Sequence, residues 1–237
     1  MKAAEPAINK TIDKRKTSGP QPATKHPETA EQYRILYNDT KSQAFRTPSS
    51  AVDAPLPFYG KDCHALRKAG AHSPLSNFHV GLRPLVYVCE NGEPKQFAHG
   101  EGLFHYLKAD LFNDEGKKQE ILEASQHNES ALMTKRLGRQ VGNFNEATWK
   151  VARLRIMQAV LRVKFSRTTQ PELFTFLLDT GERTLVEAAP RDKVWGVGCG
   201  RDRVLGTPRD QLHTLPGENL LGKALMETRE WCRAGCP

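Results

Sequence analysis

Glu187, Asp192 and Trp195 share one segment, Leu185-Val186-Glu187-Ala188-Ala189-Pro190-Arg191-Asp192-Lys193-Val194-Trp195-Gly196. An apolar run delivers the first carboxylate, Pro190 breaks it, and a second carboxylate and an indole follow in one short turn. Two carboxylates beside an indole suit a site that stacks a planar base and stabilises positive charge on a sugar. That is the chemistry of cleavage at a nucleoside-like bond. Each residue also has an ordinary reading: an Asp before a turn bonds the local backbone, and a Trp commonly packs in a core.

Glu101 and Lys108 form a second pair, spaced two helical turns apart so that both project from one face. Gly100 and Gly102 flank Glu101 and leave room for a ligand at the helix start. Periodicity alone fits a solvated Glu–Lys face as well. Gly196-Val197-Gly198-Cys199-Gly200 offers backbone amides that could cradle a phosphate, with Arg201 and Arg203 beside it, but it lacks the spacing of a dinucleotide-binding loop. Cys199 has no evident base near it in sequence and reads as a bystander thiol.

The elements that must position these residues follow a tail. Up to about residue 55 the chain is rich in Ala, Pro, Ser, Thr, Lys and Gln without apolar periodicity, and is expected to be largely disordered, with at most a short helix over Gln32 to Tyr37. Residues 56–233 are the right length for one domain. The chain carries 35 Lys and Arg against 27 Asp and Glu, a net charge of +8. Residues 1–50 hold nine basic against five acidic residues, so half of the excess lies in the tail. The domain's charges are interleaved, which argues against a general nucleic-acid-binding face. The five cysteines (Cys63, Cys89, Cys199, Cys232, Cys236) show no zinc spacing and suit reduced thiols. No signal peptide or membrane-length apolar run is visible, so a soluble, intracellular, cytoplasmic or nuclear protein is expected.

Leu85 to Cys89, the turn Glu90-Asn91-Gly92 and Lys95 to Phe97 predict a β-hairpin, and Pro57-Phe58-Tyr59-Gly60 an opening strand. Helices are predicted over Glu101 to Phe112 and Gly116 to Ala124, then from an Asn128 cap to Leu137 with Gly138 ending it. A long helix capped by Asn145 and one over Pro171 to Leu178 stopped by Gly181 come next. After a strand over Thr184 to Glu187, the last helix spans Asn219 to Trp231. Val204 to Pro216 reads as a loop insertion. The expected class is α+β, a helix-rich single domain with a small sheet or hairpin.

Taken in order, these pieces resemble the NADAR (YbiA-like) family of N-glycosidases. Phe58-Tyr59 and Ser76-Asn77-Phe78 are similar to the family's opening strand and Leu-Ser-Asn-Phe element, and Glu101 through Lys108-Ala109 to its active-site helix. Arg136-Leu137-Gly138-Arg139 is similar to its Gly-Arg element, and Trp149, Arg153, Met157 and Lys164-Phe165 to its long helix. Leu185-Val186-Glu187, Asp192 and Trp195-Gly196 resemble the active-site strand and turn; Asn219-Leu220-Leu221-Gly222, Leu225-Met226 and Arg229 resemble the closing helix. The family often has His directly after the Glu, where Gly102 stands here. Aligning His105-Tyr106 on that His-Tyr instead would put Phe104 and Leu111 at the Glu and Lys positions, losing both charges.

The resemblance implies hydrolysis of a ribose C1′–N bond through an oxocarbenium-like state, with no metal or other cofactor required. It implies Glu101 and Asp192 as catalytic acids, one stabilising the cation or activating water while the other positions ribose hydroxyls. Trp195 and Trp149 would stack on the base or limit the pocket, while Lys108, Arg139 and the loop from Gly196 would hold phosphate. Ser76, Asn77, Phe78, Glu187, Asn219 and Gly222 complete the implied substrate-binding set. Substrates of such a family include riboflavin-pathway phosphoribosylamino-pyrimidines and ADP-ribosyl-guanine in nucleic acid; the basic tail leans towards the latter. A non-catalytic ADP-ribose-binding module is the alternative, against which the two acids beside an anionic ligand argue.

Overall fold

A computed structural model of the chain describes residues 54–60, 72–127 and 131–235. The expectations for the tail, the Asn128 cap, Cys63 and Cys236 lie outside the described residues. Strand β1 (Leu56–Phe58) is followed by β2 (Val80–Val88) and β3 (Pro94–His99), then by helices α1 (Gly100–Leu111), α2 (Glu115–Ala124), α3 (Ala131–Gly138), α4 (Glu146–Lys164) and α5 (Pro171–Leu178). Strand β4 (Leu185–Glu187), the short helix α6 (Arg201–Leu205), a 3-10 turn over Arg209–Thr214 and helix α7 (Leu220–Arg233) complete the described elements. This is the expected helix-rich α+β domain. The segment read as a loop insertion instead carries α6 and the 3-10 turn, with Val204 and Leu215 buried in a small second cluster with Val186, Ala188, Val197 and Cys199.

The strands form two separate pairs. β2 and β3 make the antiparallel hairpin that Asn91-Gly92 announces, with Leu85 opposite Phe97 and Val88 opposite Pro94. Their register shifts between Val80 and Leu85, where Pro84 has no amide to donate. The carbonyls of Arg83 and Pro84 freed there each accept a bond from the buried Gln170 carboxamide at 3.1 Å. β1 and β4 are parallel, with Phe58 opposite Glu187. Buried Arg183 binds the carbonyls of Ala54 and Pro55, and Arg229 binds Thr180 Oγ1 at 2.8 Å and the Arg183 carbonyl at 3.0 Å. These guanidinium forks hold three segments distant in sequence together, because one planar cation can satisfy several carbonyls at once.

Helix α1 lies at the centre. Its first eight residues, Gly100 to Leu107, are all buried, and it packs against α2, α3, α4 and β3. A helix enclosed on every side normally carries apolar residues throughout. Glu101 and His105 break that rule. Asn145 caps α4 as expected, accepting the Thr148 amide at 2.9 Å, and Pro171 opens α5.

Lys164, at the end of α4, is fully buried and donates to the Ser76 carbonyl at 2.6 Å, tying the longest helix to the Ser76-Asn77-Phe78 turn. Burial pushes its ammonium down to about 7, since a low-polarity surrounding disfavours the charged form. Gly222 on α7 has no room for a side chain: a Cβ there would stand 2.2 Å from the Leu185 carbonyl oxygen of β4. Close helix–strand contact is why glycine occupies this position.

Two stability measurements follow. Gly222→Ala should cost about 1–3 kcal/mol in urea denaturation through overpacking against backbone that cannot yield. The unfolded chain keeps the Lys164 proton up to 10.5 while the folded chain releases it near 7, so between those values the unfolded state binds more protons and this site makes stability rise with pH. The slope, up to about 1.4 kcal/mol per pH unit, should vanish in Lys164→Met. An identical pH dependence in the two proteins would show that the Lys164 proton does not differ between folded and unfolded chains.

Candidate active site

Glu101 enters α1 in its first turn, where the aligned peptide dipoles favour a negative charge. Its amide donates to the Asn77 carbonyl at 3.0 Å, and His99, the residue before the helix, caps it by accepting the Gly102 amide on Nδ1 at 3.0 Å. Burial holds His99 down to about 4, so its ring stays neutral and remains an acceptor at ordinary pH. One turn on, His105 Nε2 lies 3.2 Å from Glu101 Oε1, and Lys135 of α3 brings its Nζ to 3.9 Å from the same oxygen. Burial alone would raise the Glu101 carboxyl. The His105 hydrogen bond, helped by the positive charge of Lys135, outweighs it and holds the group below the ordinary glutamate range. Glu101 is thus a buried carboxylate that stays ionised.

The flanking glycines correct one expectation. Gly100 and Gly102 do not open space for a ligand, because protein fills it: a Cβ on Gly102 would lie 2.4 Å from Ser125 Cβ, and one on Gly100 would lie 3.0 Å from Asn77 Oδ1. Gly138 ends α3 as expected, and a Cβ there would stand 2.0 Å from His105 Nδ1. The imidazole that holds Glu101 therefore rests directly on the Gly138 backbone.

Lys108 shares the face of Glu101, yet its ammonium is engaged. Nζ donates to the Gly138 carbonyl at 2.7 Å and lies 4.5 Å from the Phe144 ring centre and 5.3 Å from that of Trp149. Half-burial lowers it from the ordinary lysine value. It fastens α1 to α3. Arg139, just past the end of α3, is exposed, and no described contact carries it to Glu101.

The second acidic segment reaches the same helix through aromatic rings. Phe104, between Glu101 and His105 in sequence, meets Trp195 edge-on at 5.3 Å and Trp149 at 5.5 Å between ring centres, and it also contacts the His105 ring at 5.2 Å. Asp192 Oδ1 accepts the amides of Val194 at 2.9 Å and Trp195 at 2.8 Å, forming the turn that aims the indole. Asp192 Oδ2 takes no hydrogen bond from the described residues. The Asp192 turn and Trp195 thus meet α1 at Phe104, and no described contact joins the Asp192 carboxylate to Glu101 itself.

Other expected binding residues serve the frame. Asn219 accepts the Glu187 amide on Oδ1 and donates to the Leu185 carbonyl, both at 2.9 Å, so both ends of its carboxamide hold β4. Gly222 abuts the same strand, as described above. In the Gly196 to Gly200 loop the Val197 and Gly198 amides bond the carbonyls of Glu187 and Asp192, and the Gly196 carbonyl accepts from Asn219. Ser76 serves through its carbonyl, bound to Lys164, and Asn77 Nδ2 contacts Met157 Sδ at 3.1 Å. Phe78 is half-buried beneath Lys135, whose Nζ lies 5.5 Å from the ring centre. Among the described residues no group of three or more His, Cys, Asp or Glu side chains gathers as a metal site would require.

His105, Lys135, Phe104 and Lys164 were not singled out as site residues from sequence. His105 was findable, standing one turn from Glu101 on the same face. Lys135 carried no such signal, since only the packing of α3 on α1 brings it near.

No described helix is long and apolar enough to cross a membrane. Residues 58–233 match the NADAR domain family. The chain is 37% identical over 145 residues to "N-glycosidase R617" of Acanthamoeba polyphaga mimivirus, an alignment covering 57% of this chain and 80% of that protein. It is 32% identical over 126 residues to "N-glycosidase YbiA" of Escherichia coli (strain K12), covering 53% and 66%. Similarity to "Riboflavin biosynthesis protein VVA0006" of Vibrio vulnificus (strain YJ016) is 29% over 196 residues, 83% of this chain and 43% of that one. With the match running from β1 to the end of α7 and taking in the Glu101 helix and the Asp192–Trp195 turn, the chain belongs to the NADAR domain family.

Proposed function

We propose that the protein is an N-glycosidase that hydrolyses the C1′–N bond of a 5′-phosphorylated or ADP-ribosylated riboside. The observation that carries this reading is the buried, ionised Glu101 carboxylate on the helix whose Phe104 meets Trp149 and Trp195. A pocket that only bound an anionic ligand would gain nothing from an enclosed negative charge, whereas an oxocarbenium-like state is stabilised by one. Relatives named N-glycosidase support the same chemistry.

In this reading Glu101 faces C1′, stabilises the developing cation and accepts the proton of the attacking water. Asp192 uses Oδ1 to hold its turn and offers Oδ2 to ribose hydroxyls. Trp195 and Trp149 bound the base. The nitrogen base is an aminopyrimidine or a guanine. The relative named for riboflavin biosynthesis, whose alignment covers 83% of this chain, supports the former, and the basic N-terminal residues support a nucleic-acid-borne guanine. Incubation with phosphoribosylamino-pyrimidines, ADP-ribosyl-guanine DNA and free ADP-ribose, with released base followed by mass spectrometry, separates them. Binding without release from any of them would leave the binding-module reading in its place.

Glu101→Gln keeps the size and a hydrogen-bonding carbonyl but removes the charge, and should lower turnover by at least about 100-fold with the thermal transition retained. Hydrolysis at the wild-type rate would remove Glu101 from the mechanism. Gly138→Ala must displace the His105 ring, so it should reduce kcat more than it raises KM; a fully active variant would show that the His105 contact is dispensable.

A further inference from the structure

Breaking a C1′–N bond to an amine requires a proton on the departing nitrogen. The two catalytic residues implied by the family resemblance, Glu101 and Asp192, are carboxylates and include no donor. His99, His105, Lys108 and Lys135 are proton-bearing groups on the Glu101 helix, at its cap or packed against it, and three are spent or closed in. His99 accepts the Gly102 amide inside the core. His105 gives Nε2 to the Glu101 carboxylate and keeps Nδ1 enclosed against the Gly138 backbone, with no hydrogen-bond partner. Lys108 is bound to the Gly138 carbonyl beneath two aromatic rings. Lys135 differs. Its Nζ stands 3.9 Å from Glu101 Oε1, its side chain is 37% exposed against 9% for Glu101, and it lies over the Phe78 ring.

We propose that Lys135 is the proton donor to the leaving nitrogen. The inference rests on the N-glycosidase reading above. The C1′–N bond breaks with its electron pair passing to nitrogen, which takes a proton from the Lys135 ammonium. Water oxygen bonds to C1′ and gives its proton to Glu101. That proton then crosses the short Glu101–Lys135 gap to the lysine amine, returning both groups to their starting states. The products are the free sugar hemiacetal and the neutral amine base, with one water consumed. The same placement explains why Lys135 touches Glu101 without burying itself, since a donor must reach the substrate while a purely structural cation need not.

The test compares Lys135→Arg and Lys135→Met with wild type on whichever amine-linked riboside the wild type hydrolyses fastest. Single-turnover rates are measured beside calorimetric binding of the sugar product, ribose 5-phosphate or ADP-ribose to match. Arginine keeps the charge beside Glu101 but does not release its proton. Both variants should therefore fall by about 100-fold or more in rate while binding product within about threefold of wild type. An Arg variant within about threefold of the wild-type rate would mean that only charge is needed, overturning the donor role. Loss of product binding in parallel with rate would reassign Lys135 to binding and overturn it as well. A wild-type protein inert towards every riboside would remove the N-glycosidase reading and this inference together, whereas the other outcomes leave that reading intact.

Discussion

A carboxylate enclosed in the interior and yet ionised is the constraint around which this domain is arranged. Moving such a charge out of water costs several kcal/mol even after relaxation, so it persists only where cations and donors surround it. Here the helix start, the His105 imidazole and the Lys135 ammonium all act on Glu101, and each comes from a different structural decision. The dipole comes from the position in α1, the imidazole from the next turn, and the ammonium from the docking of α3. Gly138 links the last two, because only a bare backbone lets α3 close on the His105 ring.

Around that charge, polar groups that could have met a ligand are used to fix geometry. Asn219 spends its whole carboxamide on β4, Lys108 spends its ammonium on α3, and the Asp192 turn spends one oxygen on aiming Trp195. Rigidity of this kind is what a reaction through a short-lived cation requires, since catalytic groups must already stand where charge develops. It also separates residues that touch substrate in the proposed reaction from those that hold them. Lys164 is an extreme instance: wholly buried, it acts on Glu101 only through the Ser76 carbonyl and the turn that carries Asn77.

Much of this was legible in the order of residues. Periodicity located α1, α4, α5 and α7 to within a few positions, the Asn91-Gly92 turn announced the hairpin, and the spacing of Glu101 and Lys108 placed both on one face. The Asp192 to Trp195 turn could be read because its chemistry is local: a side chain bonding amides two and three residues on needs no distant partner. Family membership followed from the same ordered set of short motifs.

The roles of individual side chains were another matter. Gly100 and Gly102 look like open space in a sequence and are filled by Asn77 and Ser125 in the fold. The Gly196 to Gly200 loop looks like a phosphate cradle, and two of its amides are taken by carbonyls from the adjoining strand and turn. Lys108 and Lys135 cannot be ranked by sequence, yet one is tied to a carbonyl and the other stands open beside the carboxylate. Sequence by itself determined the elements, the local turns and the family, because those depend on periods and spacings of a few residues. Which polar atoms are spent and which stay available was decided only by tertiary packing, since a hydrogen-bond partner thirty or eighty residues away leaves no trace in local pattern.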